Sequence, residues 1–130
     1  MLNAENLLQS FEALEIPAPD FHHIDHVKVA YSMLDRYEFM DAMTRYASTI
    51  RTMAESVGAP EKYNLTITVA FMSVIAERMA STRYHNVDEF LDSNPDLLNG
   101  DMLSRWYSSE RINSPLAHGQ FVLPDKVTVD

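Results

Sequence analysis

A chain of 130 residues has the length of one ordinary domain, and can bury roughly 65–70% of its unfolded surface without disulfide or metal support. It contains no cysteine, which removes disulfides, thiolate metal sites, iron–sulfur ligation and cysteine nucleophiles together. Nineteen Asp and Glu against ten Lys and Arg give a net charge of −9, and without a basic stripe to offset it both nucleic acid and anionic membrane surfaces are disfavoured as partners.

The pattern reads as helical nearly throughout. Glycine is scarce, at three residues, and β-branched alternation is confined to the last few positions. Leu7, Leu8, Phe11 and Leu14 form a helical stripe over 3–14. Ile16-Pro17-Ala18-Pro19 then ends that helix and predicts an extended connector. A second helix is expected from His23 to Arg36, with Val27, Ala30, Met33 and Leu34 on its apolar face. A third, over 38–57, carries Phe39, Met43, Tyr46, Ile50, Met53 and Val57 as a seam and stops at Gly58.

The fourth helix, Leu65 to Ala80, is apolar around almost its whole circumference, the mark of a buried central helix. Asn64 suits its N-cap, and the Thr66 and Thr68 hydroxyls fall in its first turns. Beyond Thr82 the elements shorten. Asn86 caps a helix over 87–93, with Glu89 placed as in a capping box. Asn94-Pro95-Asp96 opens a turn, Met102 to Tyr107 forms a short helix carrying Trp106, and Ser114-Pro115 starts a last helical turn ended by Gly119. Phe121-Val122-Leu123-Pro124 is expected as an extended tail on the core. The fold expected is all-α: one domain over 1–130, compact, orthogonal or bundle-like, built around the helix at 65–80, with residues 1–20 as an N-terminal helix and connector.

The chemistry gathers at Phe21-His22-His23-Ile24-Asp25-His26, which holds three of the five histidines. His23 and His26 share a helix face one turn apart, while His22 falls at the cap. The positive end of the helix dipole disfavours imidazolium, so neutral rings are expected, fit to accept a proton or ligate a metal. A metal would need further ligands, for which Asp25, Glu38, Asn64 and Glu77 are the candidates. Glu77 stands out because it interrupts an apolar helix, although a position at the helix rim is the plainer reading. The eight methionines read as adaptable packing. Trp106-Tyr107 beside Arg105 suits either a pocket wall or a cap on the core, and His85 and His118 fall near solvated loops. No phosphate-binding glycine loop, nucleophile-elbow serine, HExxH or paired ExxH signature is present.

Five segments together resemble a group of small, all-helical bacterial proteins of uncharacterised activity. They are Phe21-x-His23-x-x-His26-Val27, Lys62-Tyr63-x-x-Thr66-Ile67-Thr68-x-Ala70-Phe71, Asn94-Pro95-Asp96-Leu97-Leu98, Tyr107-Ser108-x-Glu110 and Phe121-Val122-Leu123-Pro124-Asp125. The likeness spans Phe21 to about Asp125. It implies a pocket formed by His23, His26 and the start of the buried helix, and no known activity. Those relatives often carry His-Glu where this chain has Asn64-Leu65, so a metal site completed by that pair would be lost here.

The expectation is a small-molecule enzyme of lyase, isomerase or hydrolase type, working without a metal or other cofactor. His23 and His26 would be its acid and base; Asn64, Thr68, Glu77 and Trp106 would bind substrate. The alternatives are a non-catalytic helical module that binds a ligand or a protein, and a divalent-metal protein. A homodimer is compatible with either. The N-terminus lacks a secretory signal, and no apolar run approaches the ~20 residues that cross a bilayer, so a cytoplasmic setting is expected.

Overall fold

The computed structural model describes residues 4–126, so Asn3 of the expected first helix and the last four residues lie outside it. Among the described residues seven α-helices follow one another: α1 (Ala4–Glu12), α2 (His23–Arg36), α3 (Phe39–Ser56), α4 (Leu65–Ser81), α5 (Val87–Ser93), α6 (Ser109–Ile112) and α7 (Pro115–Gly119). Four 3-10 turns intervene, at Ala18–Asp20, Pro60–Lys62, Pro95–Leu98 and Met102–Arg105. No strand occurs among the described residues, and no helix there is long and apolar enough to cross a membrane.

The caps are made by the residue types that favour them. Asn64, Asn86, Ser108 and Ser114 each accept a backbone N–H three residues on. Glu38 does the same for α3 through its carboxylate, at 2.8 Å from the Asp41 nitrogen. The Glu89 carboxylate departs from a capping box: it takes the His85 ring and backbone N–H rather than the N–H of Asn86.

Both α1 and α3 end in a left-handed residue with paired return hydrogen bonds. In α3 that residue is Gly58, at φ +70°, flanked by Gly58 N–H to Glu55 and Ala59 N–H to Ala54. In α1 it is Leu14, at φ +58°, flanked by Leu14 N–H to Phe11 and Glu15 N–H to Ser10. The helix therefore stops at Glu12, short of the expected 14. The connector after it is not wholly extended, since Pro17 to Phe21 wind into a 3-10 turn closed by two backbone bonds.

The core has two axes rather than one. Met72, Ile75 and Thr66 of α4 are fully buried, as the pattern predicts for a central helix. Val27, Val29, Ala30 and Met33 of α2 are equally buried, because α2 packs against α1, α3, α4 and α5. The α3 seam is buried at Met43, Tyr46 and Met53 and opens to solvent at Phe39 and Val57.

The C-terminal segment is held by named bonds. Thr66 Oγ1 donates to the Gln120 carbonyl at 2.8 Å and accepts from the Val122 N–H at 3.1 Å. Tyr107 donates to the Val122 carbonyl, and Ser108 holds the Asp125 carboxylate through its N–H and its hydroxyl. Val122 is buried while Phe121 and Leu123 face solvent, the alternation of an extended strand-like tail.

A candidate ligand cavity between two helix starts

The first turns of α2 and α4 meet across a cavity of about 190 Å³. His23 and His26 line it from α2; Tyr46 and Ile50 from α3; Lys62 from the turn before α4; Asn64, Ile67, Thr68 and Phe71 from α4. A cavity of roughly 150 Å³ holds a benzene-sized molecule, so this one suits a compact ligand of roughly seven or eight heavy atoms with any further group at its open side.

The two imidazoles are held differently. His23 Nε2 lies 2.8 Å from the Leu97 carbonyl oxygen. A carbonyl only accepts, so Nε2 carries the proton and Nδ1 of the neutral ring keeps its lone pair. His26 Nδ1 lies 2.8 Å from the Tyr46 hydroxyl. Tyr46 is buried, and burial pushes its phenol well above the ordinary range, so it stays protonated. It has no other acceptor among the described residues, and it therefore donates to His26 Nδ1. Burial first, and the neighbouring His23 second, lower the pKa of His26 to about 4 against an opposing pull from Asp25. His26 is thus a neutral ring with its proton on Nε2. No buried side-chain nitrogen or oxygen lacks a partner among the described residues, so this unbonded Nε2 borders accessible space.

Aromatic contacts fix the His26 ring. Phe21 meets it edge-on with centroids 4.4 Å apart and stacks in turn on Phe11, which stacks on Tyr46. The two imidazole centroids are 6.3 Å apart, and Phe71 sits 5.9 Å from His23. One compact ligand can touch both rings.

Asn64 and Thr68 line the cavity with little polarity to offer. Asn64 Oδ1 accepts the Ile67 N–H at 2.9 Å and Nδ2 donates to the Ile112 carbonyl at 2.7 Å. Thr68 donates to the Asn64 carbonyl at 2.8 Å, leaving its oxygen able only to accept. Their expected role in binding substrate narrows to the second amide hydrogen of Asn64 and to lone pairs on Asn64 Oδ1 and Thr68 Oγ1.

Two expected residues lie elsewhere. Glu77 is exposed, nine residues past Thr68 and so on the opposite side of α4. Trp106 follows the Met102–Arg105 turn, half-buried against the core, with the Arg105 guanidinium 5.3 Å from its ring centroid. The candidate metal ligands also disperse: Asp25 accepts the His22 N–H and Glu38 caps α3. No group of three or more His, Cys, Asp or Glu that could hold a metal converges among the described residues.

Sequence reasoning missed Tyr46, Lys62, Phe71 and the Leu97 carbonyl. Tyr46 is the one hydroxyl in the α3 seam, which was a usable signal. A backbone acceptor 74 residues from His23 left none. Its placement depends on Arg78, which forms a bidentate pair with Asp96 at 2.7 and 2.8 Å and also reaches Asn94. That clamp fastens the Pro95–Leu98 turn to α4. No family model, no curated protein and no solved structure matches the chain.

Proposed function

We propose that the protein is a small-molecule enzyme whose His23 and His26 move a proton on a ligand bound between α2 and α4. The observation that carries this reading is the opposite hydrogen bonding of two imidazoles on one cavity. His23 has an acceptor at Nδ1, with Nε2–H on a carbonyl that steadies the imidazolium formed when it takes a proton. His26 has a donor at Nε2 and a low pKa, which suits hydrogen bonding to a carbonyl or leaving oxygen without ionising. A base beside a neutral donor fits proton abstraction next to a carbonyl, as in an isomerase or lyase. The likeness to the small bacterial helical group supports the same placement, because its Phe21–Val27 and Lys62–Phe71 segments both border the cavity.

One observation favours a second reading, a ligand-binding module without catalysis. Asn64 and the Thr68 proton are engaged within the protein, so few groups remain to orient a substrate. A pool of small metabolites incubated with the protein and followed by mass spectrometry separates the two. The enzyme reading expects conversion of at least one compound, lost in His23→Gln and in His26→Gln with helicity intact. No conversion, or conversion that survives in the double variant, overturns it.

A further inference from the structure

On the premise that the cavity takes a small molecule, we propose that its ligand is a small monocarboxylate with a compact apolar body, its carboxylate held by Lys62. The chain carries nineteen acidic residues, yet among the described residues no Asp or Glu lines this cavity. The nearest carboxylate on α2, Asp25, lines a different cleft together with Lys28. Lys62 lines the cavity, is exposed, and has no ion pair or side-chain hydrogen bond among the described residues. Arg45, Arg51 and Arg78, by contrast, each pair with a carboxylate.

Two further features have the same sign. The cavity borders the first turns of α2 and α4, helices of 14 and 17 residues, whose N-terminal ends add partial positive charge. Ile50, Ile67 and Phe71 supply apolar wall, which suits an apolar body. A single lysine among the lining residues balances one negative charge, which fits a carboxylate better than the larger charge of a phosphate.

Benzoate and its neutral isostere benzamide test this by NMR titration of the full chain, with inorganic phosphate as a third probe. Benzoate is expected to shift the His26 and Phe71 resonances and to bind at least about tenfold more tightly than benzamide. Lys62→Met, whose fold is checked by circular dichroism, should abolish that preference, and Lys62→Arg should keep it. Equal binding of benzoate and benzamide, a preference that survives in Lys62→Met, phosphate competing as well as benzoate, or no shift with any probe would each overturn the proposal. Selective benzoate binding by a protein that converts nothing would sink the catalytic reading alone. Conversion of substrates without a charge preference would sink this inference alone.

Discussion

Tyr46 donates its phenolic proton to His26 Nδ1 at 2.8 Å, joining the middle of α3 to the first turn of α2 inside an aromatic cluster. The bond occupies Nδ1 and sends the ring's proton toward the cavity, while burial first and His23 second keep the ring neutral. Tyr46→Phe should therefore raise the pKa of His26 only modestly from about 4, because a donor to the neutral ring is gone while burial, the main cause of its low value, is kept. Imidazole chemical shifts followed against pH check this; an unchanged titration would mean that burial alone sets the value.

The same histidine makes stability depend on pH. In the unfolded chain its pKa is about 6.5, and in the fold about 4, so the unfolded state binds the proton first. The stabilisation is complete above about pH 6.5 and is lost as pH falls toward 4, by roughly 3 kcal/mol in all. Asp96, Glu89 and Asp125 have pKa values lowered mainly by hydrogen bonds from Arg78, His85 and Ser108, and they lose their contributions only at lower pH. Urea midpoints measured between pH 7 and 4.5 should fall in the native chain and flatten in His26→Gln. Equal slopes would contradict the assignment.

Arg78 is predicted to act on the cavity through the turn that carries the Leu97 carbonyl. Arg78→Leu should cost about 1–2 kcal/mol by removing a partly exposed bidentate pair. It should also loosen the hydrogen bond of His23 to Leu97, seen as faster exchange of the His23 Nε2 proton. A purely local role would lower stability and leave that exchange unchanged.

The two helix ends give a paired test of backbone strain. Leu14 holds φ +58° with its side chain half exposed, so Leu14→Gly should stabilise the protein by roughly 0.5–1 kcal/mol. Gly58→Ala should cost about 1 kcal/mol through its dihedral alone, since an added Cβ meets nothing within 4 Å. Thermal unfolding of both variants reads the two signs.

Thr66→Val preserves shape and removes both bonds to the C-terminal segment. With the buried Val122 N–H left without its acceptor, a loss of roughly 2–3 kcal/mol is expected. Amide exchange at Val122 should accelerate more than exchange in α2; uniform acceleration would place the effect in global stability.

The helices were legible because their signals are local. The α2 limits, the Asn64 and Ser114 caps and the Gly58 stop all follow from residue type and period within one turn. The end of α1 was not, because Leu14 is a residue that rarely adopts positive φ, and the 3-10 turn after it is set by backbone bonds from Asp20 to Pro17 and from Phe21 to Ala18. The short α6 also escaped, its four residues offering no period to read. At the cavity, His23, His26, Asn64 and Thr68 were found through spacing and cap position. Glu77 was misread because a carboxylate in an apolar stretch suggests burial, while its register around α4 puts it in solvent. Trp106 was misread because an aromatic beside an arginine suits a pocket and a core cap alike.

The central claim is that two imidazoles on one cavity are bonded in opposite senses, His23 giving its Nε2 proton to Leu97 and His26 accepting at Nδ1 from Tyr46. Long-range proton–nitrogen NMR of both rings, recorded from pH 8 to 3.5, tests it most directly. The account predicts that at neutral pH both rings carry their proton on Nε2, and that His26 gains a second proton only near pH 4. A His26 that titrates near 6.5, or that carries its proton on Nδ1 at neutral pH, would contradict it.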